Sequence, residues 1–131
     1  MPITSTPDHD LRLVHSVCSG RMTLKEIESY QYTVWLEPSI YGYSELFDLT
    51  DSDFSDISFG DLITIAQKAA GLYMLDPDSR CAFLTYTQQH VELAEFYIAA
   101  KSLANGVSRE LGQFQSRASA LEWLSERLSN K

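Results

Sequence analysis

Four times along its 131 residues the chain passes from a short apolar run of strand length into a longer segment of helical period. That alternation constrains the fold more than any other feature. Strands separated by helices of about 10–15 residues pair most readily as a parallel sheet with helices on its faces. The first run places Leu11, Leu13 and Val17 on one parity with His15, and Val14 and Cys18 on the other, before Ser19-Gly20 ends it. Thr23-Leu24-Lys25-Glu26 then has the spacing of a capping box, in which the threonine hydroxyl takes an amide three residues on and the glutamate reaches back. Leu24, Ile27, Gln31 and Val34 form the stripe of the helix it opens, with Tyr30 and Trp35 beside them, and Glu37-Pro38 stops it.

The pattern then repeats. Tyr43 to Leu49 reads as a strand, and Ser58-Phe59-Gly60-Asp61 opens a helix whose Leu62, Ile65, Ala66, Ala69, Leu72 and Tyr73 share one face. Asp76-Pro77-Asp78 turns the chain into a third strand, Arg80 to Tyr86. Gln88 to Leu103 is helical by period and closes on Asn105-Gly106. Val107 to Phe114 is the last strand and Ser116 to Leu128 the last helix, with Leu121, Leu124 and Leu128 inward and Trp123 sealing its flank. The expected fold is a single α/β domain over residues 10–131 in the order β-α-β-α-β-α-β-α. Its four-to-five-stranded, mostly parallel sheet is covered by helices. Residues 1–9, with Pro2, Pro7 and small polar side chains, are expected as a flexible N-terminal arm.

Charge is more informative in its distribution than in its total of −8. Residues 1–44 are net −2 and residues 62–131 are neutral. The remainder sits in residues 45–61, where Glu45, Asp48, Asp51, Asp53, Asp56 and Asp61 occur with no base among them. Such a segment repels phosphate backbones and anionic lipid, which argues against nucleic acid as a partner. Its two readings are a solvated loop and a docking surface for a basic protein partner. Asp51, Asp53 and Asp56 form the exposed cluster in the docking reading. Phe54 between them is either its apolar anchor or a residue folded back into the core. Asp48 closes a strand and is set aside as a structural acceptor.

Chemistry-bearing motifs are sparse. There is no GxGxxG, no GxxxxGK[ST] and no GxSxG, and the six glycines stand singly. Cys18 and Cys81 have no metal-type spacing and read as buried reduced thiols, while His9, His15 and His90 are scattered. No enzymatic activity, metal or cofactor is expected. MPITSTPDHD has neither a basic flank nor an apolar segment, and no run approaches the roughly 18 apolar residues of a membrane span, so a cytoplasmic location is expected.

One stretch has a family likeness. Glu45-Leu46-Phe47-Asp48-Leu49-Thr50, followed by Asp56-Ile57-Ser58-Phe59-Gly60-Asp61-Leu62, resembles the core of STAS domains, the SpoIIAA-like fold, in which a strand ending in Asp-Leu leads through a loop to Asp-Ser-Ser-Gly at a helix start. Ala118 to Leu124 (ASALEWL) after a Phe-ending strand is similar to the ending of uncharacterised bacterial SpoIIAA-like proteins. Aligned without a gap, Ile57 takes the place of the family's phosphorylated serine, so kinase-driven partner switching does not carry over. Ser58 is left as an N-cap, or as an acceptor if one residue is gapped. The resemblance implies a regulatory module that binds a protein partner through Asp51, Asp53, Phe54, Asp56 and Ser58. The similarity of SpoIIAA-like proteins to Sec14-type lipid carriers implies the alternative, a pocket for an apolar, lipid-like ligand lined by Tyr30, Trp35, Tyr41, Tyr43, Tyr73 and Tyr86.

Overall fold

The computed structural model describes residues 3–70, 79–103 and 109–129. Its strands are β1 (Ile3–Asp8), β2 (Leu13–Arg21), β3 (Ser44–Asp53), β4 (Arg80–Leu84) and β5 (Glu110–Phe114), and its helices are α1 (Leu24–Val34), α2 (Phe59–Ala70), α3 (Gln88–Leu103) and α4 (Arg117–Ser129). The five strands lie side by side in sequence order. β2 through β5 are parallel, and β1 runs antiparallel to β2 with Ile3 opposite Cys18 and Asp8 opposite Leu13. Among the described residues no helix is long and apolar enough to cross a membrane.

Three sequence expectations change here. The arm expected over residues 1–9 is, from Ile3 to Asp8, an edge strand that satisfies the outer side of β2. Its polar, proline-containing sequence hides it, because an edge strand needs only one covered face and tolerates Pro. Second, β3 does not stop at Leu49 but runs to Asp53. Val17 pairs with Asp48 while Ser19 pairs with Asp51, so two residues of β3, Leu49 and Thr50, oppose one of β2, Cys18, and Thr50 in this bulge has a φ of 22°. Third, Leu121 on α4 is exposed while Leu124 and Ala120 are buried. The turn at Asp76-Pro77-Asp78, the cap at Asn105-Gly106 and Tyr73 lie outside the described residues.

Side chains alternate across the sheet as the pleat requires. Val14, Cys18, Phe47, Leu49, Cys81 and Phe83 join the larger core with α1, α2 and α3, whereas Leu13, Leu46, Ala82 and Leu84 join a smaller one with α4. Caps fix the helix starts. Thr23 accepts the Glu26 amide, and Ser58 and Asp61 bond reciprocally, each side chain to the other's amide at 3.0 Å. Trp123 packs against Phe114 with centroids 5.2 Å apart and the rings tilted by 44°, and Arg80 lies over its ring while donating to its carbonyl.

Candidate functional site

Beneath α1, α2 and α3, against β3, β4 and β5, lies a partly open chamber of about 80 Å³. Ile27, Phe47, Leu62, Ile65, Phe83 and Leu93 give it an apolar body. Its polar residues, Glu45, Cys81, Lys101 and Arg109, come from the first residues of β3 and β4, the last turn of α3 and the residue before β5. Tyr30 and Gln31 of α1 complete the polar group.

Glu45 is the centre of that end. It is 3% exposed, and it shares its parity of β3 with Phe47, which places a carboxylate inside the core. Charge burial is tolerated only with partners. Here Arg109 donates to Oε1 at 2.5 Å, the Cys81 thiol lies 3.3 Å from the same oxygen, and the Tyr30 hydroxyl donates to Oε2. Arg109 is itself stacked over Trp35, 4.5 Å from the ring centre. The Tyr30 hydroxyl also lies 2.6 Å from Ser16, and Ser16 lies 3.0 Å from Ser5, so a chain of hydroxyls runs from the edge strand to the chamber.

Burial, reinforced by the Glu45 carboxylate, pushes the Tyr30 phenol and the Cys81 thiol well above their ordinary values. Burial, the largest single influence, pulls Arg109 down, but Glu45 together with Cys81, Tyr30 and Tyr97 outweighs it and holds the guanidinium charged. Lys101 is lowered, first by burial and then by Arg109. Among the described residues Gln31 is left incomplete. It is 7% exposed, and its side-chain oxygen accepts no hydrogen bond.

Of the six aromatic residues expected to line a pocket, Tyr30 and Trp35 do so. Tyr43 is buried in the same core without lining the chamber, hydrogen-bonded to His9 at 2.7 Å, and Tyr41 and Tyr86 are exposed. Tyr86 lies beside Asp48 on the opposite face of the sheet. The sequence reading missed Gln31, Glu45, Cys81, Lys101 and Arg109. The available signal was Glu45 itself, an acid on the parity of Phe47 and Leu49 in an apolar strand. It was instead grouped with the acidic run.

That acidic run is divided by the fold. Glu45 faces the chamber. Asp48, also buried, accepts from Arg117 at 2.7 Å and from the Thr50 amide, with His15 3.5 Å away, and so has the structural part assigned to it. Asp56 pairs with Arg21 at 2.7 Å. Asp53 accepts from Ser55 and Gln89, which hold its carboxyl below the usual range. Asp51 and Ser58 are exposed. Phe54 is 3% exposed and lines the chamber, so its reading as an exposed anchor is corrected: the chain after the bulge turns its side chain under α2 and α3. His90 is wholly buried, its Nδ1 accepting the Tyr86 amide and its Nε2 donating to the Ser52 carbonyl, which ties the end of β3 to the start of α3. Among the described residues no three His, Cys, Asp or Glu side chains are placed to hold a metal ion.

Among solved structures, an uncharacterised protein from the DUF3478 family with a SpoIIAA-like fold, from Shewanella loihica PV-4, superposes with a TM-score of 0.55, covering 93% of this chain and 91% of that one at 20% identity. The fold is SpoIIAA-like. At that identity the likeness is one of architecture, and a SpoIIAA-like fold hosts its function in local sites rather than in the scaffold. No family model and no curated protein matches the chain in sequence. The site of this SpoIIAA-like domain has to be argued from its own residues.

Proposed function

We propose that this SpoIIAA-like domain binds a small, largely apolar molecule in the chamber beneath α1, α2 and α3. The observation that carries the reading is the chamber itself. Its volume of about 80 Å³ exceeds the roughly 10–15 Å³ that one water needs and is about half of a cavity known to admit benzene. Well-packed interiors do not leave such spaces freely. A mostly apolar wall with a few convergent polar groups is the usual make-up of a ligand site. The proposed activity is binding rather than catalysis. In open α/β sheets ligands usually collect at the carboxyl ends of the strands. Here the polar end lies at the amino ends of β3 to β5, which is why motif reading at the strand ends passes it by.

The test is mass spectrometry of small molecules retained by the natively purified protein, compared with an Ala69→Leu variant. Ala69 lines the chamber, and the added carbons occupy it. A compound enriched in the wild type and absent from the variant supports the reading. Identical extracts from the two overturn it.

A second reading, docking of a basic protein partner, is favoured by one observation. Phe59, at the start of α2, is 63% exposed and stacked on Phe96 with ring centres 4.4 Å apart, near Asp56 and Asp61. It takes over the anchor role that Phe54 vacates, since aromatics ringed by polar groups make binding hot spots. Asp51→Lys with Asp53→Lys then slows association with a co-purified partner, and the wild-type rate falls with salt. A salt-independent rate refutes this reading.

A further inference from the structure

We infer that the ligand enters the chamber with a neutral hydroxyl group as its polar end, and that this hydroxyl pairs with the side-chain amide of Gln31. The inference rests on the ligand-binding reading above and adds the chemistry of the head group. Gln31 lines the chamber, is more than nine-tenths buried, and has an oxygen that accepts no hydrogen bond among the described residues. Buried polar atoms in folded proteins nearly always have partners, so an orphaned acceptor on the wall of a cavity marks where a donor belongs. The hydroxyl of Tyr30, which also lines the chamber, is committed to Glu45 and Ser16.

The surrounding charges select among possible donors. A ligand carboxylate has no proton to give the Gln31 oxygen, and it would stand near Glu45 in a poorly solvated space. An ammonium has protons but would meet Arg109, whose positive charge is held in place by Glu45. Lys101 lines the same end, but it is buried and already has an interaction of its own, so it is not a free cation for an anion to meet. A hydroxyl fits all of these neighbours. It donates to the amide oxygen, it accepts from the amide nitrogen in the other amide orientation, and it brings no charge. The rest of the ligand is apolar, because the remaining wall is built from residues such as Ile27, Leu62, Ile65 and Leu93.

Three probes of similar size separate the alternatives: 1-butanol, its isomer methyl propyl ether, and butyrate. Each is titrated into the full chain, and binding is read from methyl-group NMR shifts of Ile27, Leu62 and Leu93. The expected result is that butanol binds about tenfold tighter than the ether, the value of one hydrogen bond to an otherwise unsatisfied buried acceptor, and that butyrate binds most weakly. Gln31→Met, which keeps the length of the side chain and removes its amide, closes the gap between butanol and ether without weakening the ether. The wild-type comparison stands without the variant, so a poorly folded Gln31→Met does not rescue or sink the inference. Equal affinities for butanol and ether in the wild type, or tightest binding of butyrate, overturn the head-group inference while leaving the chamber as a ligand site. Unmoved methyl shifts with all three probes overturn both.

Discussion

Replacing Arg109 with Met tests the buried pair on which the polar end of the chamber is built. The guanidinium sits 2.5 Å from Glu45 and 4.5 Å from the centre of the Trp35 ring, and both members of the pair are under a tenth exposed. Met keeps much of the apolar volume against Trp35, so the change is chiefly electrostatic. Glu45 then stays buried with a phenol and a thiol as its remaining described partners. Removing one member of such a pair destabilises by about 3–5 kcal/mol, because the other charge is left uncompensated in a medium that solvates it poorly. Against a total stability of about 5–15 kcal/mol that is a large fraction, and it corresponds to a melting temperature lower by about 10–20 °C. Removing both charges, as Glu45→Leu with Arg109→Met, restores stability to within about 1–2 kcal/mol of wild type, since an apolar replacement of a buried pair is often neutral. Urea titration of the wild type, both single variants and the double variant gives the coupling directly, provided the slopes agree. A single Arg109→Met variant within about 1 kcal/mol of wild type, or a double variant as unstable as the two singles together, refutes the reasoning.

Three further outcomes follow from the geometry. Ser58→Ala removes the hydroxyl that accepts the Asp61 amide and lowers stability by about 1 kcal/mol in the same titration; no change would mean that Asp61 alone holds the start of α2. Trp123→Ala, which strips the contact with Phe114 and the platform under Arg80, costs about 3 kcal/mol, the low end for large aromatics because Trp123 is only partly buried. At alkaline pH, burial holds the thiols of Cys18 and Cys81 above 9.0 and the phenols of Tyr30 and Tyr97 above 10.0, so the folded chain keeps protons that the unfolded chain releases. Their contribution is complete below pH 9.0 and is lost as pH rises beyond it, while the lowered Lys101 acts with the opposite sign below 10.5. Tyrosinate and thiolate absorbance from these groups therefore appears together with the loss of circular dichroism, and ionisation of all four in a folded chain would contradict their burial.

The parts of the fold legible in the sequence are those written in periodicity. The stripe Leu62, Ile65, Ala66, Ala69 and the box Thr23 to Glu26 each specify a helix locally, and the parallel sheet follows from the alternation. What was not legible depends on partners distant in sequence. Ile3–Asp8 has no apolar pattern of its own and becomes a strand because β2 offers it an unpaired edge. Glu45 looks like one acid among six until Arg109, far along the chain, reaches it. Phe54 was balanced between core and surface by its neighbours alone, and the bulge at Thr50 decided it. Gln31 was read only as part of a helix stripe, and nothing in its surroundings along the chain says that its oxygen lacks a donor.

The sheet also dictates the order of events when the chain folds. β1 and β2 are joined by four residues, 9–12, whereas Leu13 must find Ser44, Glu45 must find Cys81, and Arg80 must find Glu110 across intervening helices. A hairpin closes in about 1–10 μs, yet two strands alone are marginal in water, so this one forms and dissolves repeatedly until β3 docks against it. The rate is then governed by the capture of β3 rather than by the turn, in line with the slow folding of sheets built from distant pairings. A substitution that weakens the 9–12 turn accordingly lowers the population of hairpin open to capture, slowing folding while leaving the unfolding rate nearly untouched.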